Sequence, residues 1–306
     1  MGALIRSWLL AACALGAAMP ASAVEAVVFP GADGKLQLKG HWFRAAGAEP
    51  KPAVIALHGC GGLANAAGQL QPVWRRQAAY FNAEQMHVLV PDSFGPRGEG
   101  SLCSTPNNGR SVHEEDRRGD VFAAMHWLAQ QPGVDATRIV VAGWSHGAQA
   151  VLSVLDATDK AVQSQTLRPR AAVAFYPGCR KFLRMLDYKL AAPLLVMIGE
   201  LDDWTPAPPC VDLARKFAAP DQPVFELAVY SGSYHGFDGL GPVTVRENVG
   251  NTRSGKATVG GNPVAREQSH ARMFEFLSAQ LGRPLLLPHE QRLRLGEPRR
   301  QPAPVN

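Results

Sequence analysis

The stretch "VVAGWSHGAQA", Val140 to Ala150, changes character twice. Its apolar opening reads as a buried strand and its small-residue end as the first turn of a helix, with a sharp turn between them. Glycine stands two residues before Ser145 and two residues after it, where a side chain would crowd the bend. A serine hydroxyl is a poor nucleophile unless a base takes its proton and the backbone holds it where a carbonyl carbon can reach. The pattern G-x-S-x-G between a strand and a helix is the turn that presents such a serine at the rim of an α/β sheet. An ordinary strand-to-helix turn is the competing reading, and the partners available to Ser145 decide between the two.

Working outward, short runs rich in Val, Ile and Leu recur along the chain: "AVVF", "LQLKGHW", "PAVIALH", "HVLVPD", "RIVVAGW", "AAVAFYP", "PLLVMIG" and "FELAVY". Helical patterns lie between the later ones: "QPVWRRQAAYFNAEQ", "HEEDRRGDVFAAMHWLAQQ", "GAQAVLSVLDATD" and "CVDLARKFAA". Strands apolar on both faces belong inside a sheet, and helices between them make parallel crossovers. The expected fold is therefore α/β, one domain, with a mostly parallel eight-stranded sheet and helices on both faces. In such sheets ligands sit beyond the carboxyl ends of the strands. The Gly-rich stretch from Gly236 to Pro263 reads as an ordered surface excursion, and "REQSHARMFEFLSAQLG" as the closing helix.

The carboxyl ends carry what a nucleophilic serine needs. "PLLVMIG" runs into Glu200-Leu201-Asp202-Asp203, and "FELAVY" into Ser231-Gly232-Ser233-Tyr234-His235. Serine, then acid, then histidine is the chain order of α/β-hydrolases. His235 is expected to be the base and Asp202 its orienting acid, with Asp203 in reserve. His41, His87, His113, His126, His270 and His289 are read as surface or satisfied residues. The loop His58-Gly59-Cys60-Gly61-Gly62 lets backbone approach a substrate oxygen closely. The amides of Cys60 and His146 are the expected oxyanion donors. Trp144, Trp204, Tyr234 and Phe237 could line an apolar pocket or belong to the core.

Arg6, the apolar run "WLLAACALGAAM" and Ala21-Ser22-Ala23 together make a secretory signal peptide over residues 1–23, with export to the periplasm or beyond expected. A lipoprotein signal ending at Cys13 is the rival, but the apolar run continues past Cys13. No later run approaches the length needed to span a bilayer. The net charge of +5 is misleading, because Arg6 and an Arg-rich tail, residues 283–306, hold most of the excess. The body, residues 24–282, is nearly balanced and shows no nucleic-acid footprint; the Pro- and Arg-rich tail is expected to be poorly ordered. Four cysteines remain after the signal peptide: Cys60, Cys103, Cys179 and Cys210. In an oxidising compartment they suggest two disulfides, with three connectivities open.

From about Val24 to Gly282 the chain resembles the dienelactone hydrolase family of the α/β-hydrolases. The matching pieces are "ALHGCGGL", "VPDSFGPRG", "DVFAAMHWLAQQPGVDATRIVVAGWSHGAQA", "AAVAFYPGC", "PLLVMIGELDDWTP" and "YSGSYHGF". The resemblance implies an α/β-hydrolase fold and a triad falling on Ser145, Asp202 and His235. It departs from dienelactone hydrolases proper in three places. They carry a cysteine nucleophile where this chain has Ser145. Gly59 stands where they have a glutamate that regulates that thiol. Their carboxylate-binding arginine after the histidine has no counterpart in "HGFDG". Arg97 corresponds to the family's other carboxylate-binding arginine, shifted by one residue. The family's layout also suggests the pairing Cys60–Cys103 and Cys179–Cys210. The implied activity is hydrolysis of a small-molecule ester or lactone through an acyl-enzyme, with no metal or organic cofactor. The rival readings are an exported peptidase of the same fold and a binding protein without catalysis. Oligomeric state is silent in the sequence.

Overall fold

The inner strands are apolar on both surfaces, and burying both leaves their backbone groups only each other as partners, which draws the strands into one sheet. A computed structural model describes residues 24–217 and 223–286. The elements in chain order are β1 (Val24–Pro30), β2 (Gln37–Phe43), β3 (Lys51–Leu57), α1 (Pro72–Ala83), β4 (His87–Asp92), α2 (Glu114–Ala129), β5 (Val134–Trp144), α3 (His146–Val154), α4 (Lys160–Gln163), β6 (Ala171–Phe175), α5 (Arg180–Arg184), β7 (Leu194–Gly199), α6 (Pro208–Lys216), β8 (Phe225–Tyr230), β9 (Thr244–Glu247), β10 (Lys256–Val259) and α7 (Pro263–Leu281). The sheet order is β1-β2-β4-β3-β5-β6-β7-β8. The pairs β1–β2 and β2–β4 are antiparallel and the remaining pairs parallel. Every residue of β3, β6 and β7 is buried. Since successive side chains point to opposite sides, both faces of the sheet are covered. One layer contains α1 and α7, in contact through Phe81 and Phe274 with ring centroids 5.4 Å apart. The helices α2 and α3 pack on each other and on β5. This is the α/β-hydrolase fold.

Strand order places the site. The chain leaves β3 for β4 on one side and then crosses to β5 on the other, so the loops after β3 and β5 diverge from neighbouring strand ends. The register pairs Leu57 with Gly143 and Trp144 with Phe175, which sets the loop beginning at His58 beside the turn at Ser145. Two disulfides brace this rim: Cys60–Cys103 joins the loop after β3 to the segment following β4, and Cys179–Cys210 joins the loop after β6 to α6.

Two segments differ from expectation. The Gly-rich excursion contains a separate antiparallel hairpin, β9–β10, with Thr244 opposite Val259; four-residue strands with exposed Val245 carry too weak an alternation to be read in advance. The tail reading also needs correction at its start. Arg283 donates to the Glu84 carbonyl at 2.5 Å and the Leu286 amide to the Glu84 carboxylate at 2.8 Å, so residues 283–286 are docked on the end of α1. The signal-peptide reading of residues 1–23, and the tail from residue 287 with His289, lie outside the described residues. Among the described residues no helix is long and apolar enough to cross a membrane.

Candidate active site

Ser145 sits between β5 and α3 with φ 54° and ψ −116°, a backbone conformation that costs energy for any side chain and persists only where packing enforces it. The packing is on both sides. A Cβ on Gly143 would lie 2.3 Å from the Gly147 carbonyl oxygen, and one on Gly147 would lie 2.2 Å from that of Leu57. Backbone occupies both places, so the two glycines are required by space. The Ser145 amide donates to the Phe175 carbonyl at 2.9 Å, which keeps the residue in register with β6.

His235, from the loop after β8, brings Nε2 to 2.9 Å from Ser145 Oγ. Its Nδ1 lies 2.8 Å from Asp202 Oδ2. A carboxylate only accepts, so Nδ1 carries the proton and Nε2 presents its lone pair to the serine hydroxyl. Asp202 is itself fixed by the amides of Trp204 and Thr205 at 3.0 and 2.7 Å and by the Thr205 hydroxyl at 3.0 Å. Asp203, held in reserve by the sequence, does other work: it accepts from the Thr258 amide and hydroxyl at 2.8 and 2.9 Å and so ties β10 to the loop after β7. The Gly260 amide donates to the His235 carbonyl at 3.0 Å, so the hairpin also steadies the histidine. This arrangement can relay a proton from Ser145 to an imidazole whose far side faces a buried carboxylate.

The loop after β3 lies against the turn, with the Gly59 Cβ direction 3.5 Å from Ser145 Cβ. Among the described residues no acceptor takes the Cys60 amide. The Leu102 amide donates to the Cys60 carbonyl at 2.8 Å, so the disulfide and this bond hold the same loop.

Two clefts open on Ser145. One, about 510 Å3, is lined by the aromatic rings of Trp74, Trp144, Tyr176 and Trp204, with Arg76 and Arg246 also on its wall. The second, about 560 Å3, is lined by Arg110, Arg180, Lys181, Arg253 and Lys256 against Glu114 and Asp203. There Lys181 is neutralised by Glu114 and Glu115, and Lys256 by Glu247. Among the described residues Arg110, Arg180 and Arg253 have no carboxylate within ion-pair distance, which leaves this cleft positive.

Of the residues expected to bind substrate, Trp144 and Trp204 line the clefts, and Trp204 packs 4.8 Å from the His235 ring. Arg97 does not bear out its expectation. Both of its terminal nitrogens are taken by Asp120 at 2.9 and 2.8 Å, and Nη1 also by the Ser93 carbonyl, which fixes it as a structural ion pair outside both clefts. Tyr234 lines neither cleft, and Phe237 is wholly buried.

Two residues the sequence did not point to, Tyr176 and Asp238, complete the aromatic cleft. Tyr176, at φ 41° just past β6, packs its ring 4.6 Å from that of His235. Its hydroxyl donates to Asp238 at 2.8 Å, and the Trp144 indole donates to the same carboxylate at 2.8 Å. Burial pushes the Asp238 carboxyl above the ordinary carboxylate value, against the hydrogen bonds from Tyr176 and Trp144. The signal available in sequence was only the place of Tyr176 just after β6; a positive φ at tyrosine and the meeting of positions 144, 176 and 238 are not written in local pattern. Among the described residues no three His, Cys, Asp or Glu side chains gather as a metal site would require.

The dienelactone hydrolase family model matches residues 38–281. No curated protein matches. Solved structures do. An esterase from Thermogutta terrifontis bound to propionate is 20% identical with a TM-score of 0.58, over 88% of this chain and 97% of that one. A second structure of that same esterase 2, phosphoramylated by tabun, gives 20% and 0.57 over 87% and 97%. A protein from Klebsiella pneumoniae subsp. pneumoniae carrying a dienelactone hydrolase assignment gives 17% and 0.61 over 84% and 99%. At these identities the likeness is one of fold.

Proposed function

Since the chain belongs to the dienelactone hydrolase family, a family of carboxylic ester hydrolases, we propose that it cleaves its ester with Ser145 as nucleophile, His235 as base and Asp202 as the orienting acid. The observation that carries this reading is the unbroken chain from Asp202 through His235 to Ser145, with links of 2.8 and 2.9 Å. Ser145 Oγ attacks the carbonyl carbon while its proton passes to His235 Nε2; the amides of Cys60 and His146 receive the oxyanion. His235 then gives that proton to the departing alkoxide, leaving an acyl group on Ser145. Water repeats the sequence, losing a proton to His235, and frees the acid. Asp202 keeps the imidazole in the correct tautomer and stabilises its charged form.

The two clefts suggest the substrate's shape. The tryptophans and Tyr176 favour an apolar or aromatic arm; Arg110, Arg180 and Arg253 favour an anionic one, through the bidentate geometry guanidinium offers a carboxylate. Export with removal of residues 1–23 is part of the proposal, supported by the two paired disulfides, which persist in oxidising compartments.

Ser145→Ala tested on p-nitrophenyl acetate should lose turnover with the fold intact by circular dichroism; unchanged turnover would end the reading. For the substrate, Arg253→Gln should raise KM for a carboxylated ester roughly three- to tenfold and leave its neutral counterpart unaffected. Equal effects on both would remove the anionic arm from the account.

A further inference from the structure

Directly behind the serine turn lies a charge that the proton relay does not use. Arg117, on α2, is fully buried. Its Nη2 donates to the His58 carbonyl at 2.6 Å, and its Nη1 donates to His146 Nδ1 at 3.3 Å. Its guanidinium lies 5.3 Å above the Phe94 ring. Among the described residues no carboxylate comes within ion-pair distance. The nearest candidate on its own helix, Asp120, has both oxygens engaged by Arg97.

A buried cation without a bonded anion is costly, and burial lowers this guanidinium to about 9, with Asp120 and Asp92 opposing the shift. Its two neighbours, His58 and His146, are neutral: burial, then the charge of Arg117, holds both well below the ordinary histidine value. Arg117 is therefore the cation in contact with the His146 ring and the His58 backbone, while Asp92 Oδ1 lies 4.0 Å from His58 Nε2.

The two residues it touches flank the two amides assigned to the oxyanion. His58 precedes the Gly59–Cys60 peptide, and its Nδ1 bonds the Gly59 carbonyl at 2.9 Å. That carbonyl and the Cys60 N–H are opposite ends of one planar peptide, so anchoring one aims the other. The Ser145–His146 peptide is anchored likewise, its Ser145 carbonyl taken by the Gln149 amide at 3.0 Å. A single guanidinium thus spans the loop after β3 and the start of α3, the two segments whose spacing sets the oxyanion donors apart.

We propose that Arg117 is a positioning residue for the oxyanion site, holding the Cys60 and His146 amides at one separation through His58 and the His146 ring while placing a positive charge behind both. This rests on the serine-hydrolase reading above. It predicts that losing Arg117 harms the tetrahedral state far more than substrate binding. Removing one oxyanion donor outright costs on the order of a hundred- to a thousand-fold in rate; misaligning donors that remain should cost about ten- to a hundred-fold.

The test compares wild type, Arg117→Met and Arg117→Lys on p-nitrophenyl acetate and on a trifluoromethyl ketone. The ketone accepts the Ser145 oxygen at its carbonyl carbon while the serine proton moves to His235, giving a tetrahedral oxyanion. Arg117→Met should lower kcat about ten- to a hundred-fold and weaken the ketone by a similar factor, with KM within about threefold. Arg117→Lys keeps the charge but cannot bridge both partners, and should fall between. Loss confined to KM, or ketone affinity that stays constant while kcat falls, overturns the proposal. If Arg117→Met fails to fold, the same split in Arg117→Lys decides. Wild type that neither hydrolyses the ester nor binds the ketone would instead overturn the parent reading.

Discussion

Gly147→Ala puts a methyl group where backbone already stands. The added Cβ would lie 2.2 Å from the Leu57 carbonyl oxygen and 2.7 Å from that of His58, an overlap of about an ångström with the end of β3. Overpacking typically costs about 1–3 kcal/mol when side chains can shift. Here the neighbour is backbone bonded into the β3–β5 ladder, so the upper figure applies. Against this, Ala in place of Gly inside a helix gains about 1 kcal/mol. The balance is a loss of about 2 kcal/mol, or roughly 4–8 °C in melting temperature at about 2–4 °C per kcal/mol for a domain of this size. The movement falls on the turn carrying Ser145, and a displacement of about 1 Å there can cost about a hundred-fold in turnover. Gly61→Ala is the control: nothing lies within 4 Å of its Cβ position and its φ is unremarkable for any residue, so stability should stay within about 0.5 kcal/mol. Differential scanning calorimetry and p-nitrophenyl acetate turnover would be measured on both. A Gly147→Ala protein that melts and turns over like Gly61→Ala would refute the claim that space, and not chain flexibility, dictates the turn.

Other perturbations separate the remaining parts. Asp202→Asn should lower kcat by on the order of 10^4 by presenting a donor to His235 Nδ1, whereas Asp203→Asn, which loosens only β10, should cost less than about tenfold; reversed effects would move the acid assignment. On acidification below about pH 6.5, unfolded chain protonates at His58 and His146 while the folded chain refuses, because both rings are held below their ordinary value. Their contribution is therefore full above pH 6.5 and lost as pH falls, at up to about 1.4 kcal/mol per pH unit for each ring. Urea melts at pH 7 and 5 should show it, and His146→Gln should reduce the slope by one proton. Breaking Cys179–Cys210, which closes a loop of separation 31, should cost about 3–4 kcal/mol. Peptide mapping without reductant that links Cys60 to either of that pair would contradict the observed connectivity.

The strands and their order of use were legible because their patterns are dictated locally. An inner strand of a parallel sheet must be apolar on both faces, and "PAVIALH" or "PLLVMIG" can be little else. Ser145, acid and His235 followed from their position at strand ends, where this topology collects ligands. Asp202 was preferred over Asp203 from the sequence; what the sequence could not show is the set of contacts that separates them, the Trp204 and Thr205 amides and His235 Nδ1 on Asp202 against Thr258 on Asp203. Arg97 looked like a ligand-binding arginine because nothing in sequence reveals that Asp120, a turn of helix past Arg117, turns back to engage it. Arg117 went unmarked within the helical pattern "HEEDRRGDVFAAMHWLAQQ", yet its side chain is fully buried. Tyr176 and Asp238 were invisible for the same reason: convergence across distant segments leaves no local pattern.

The most direct test of the central claim is reaction with a fluorophosphonate probe, read by mass mapping of the labelled peptide alongside residual esterase activity. The account predicts one adduct, on Ser145, formed in step with loss of ester hydrolysis and abolished in His235→Ala. Full esterase activity in protein fully labelled at Ser145, or an unchanged labelling rate without His235, would contradict it.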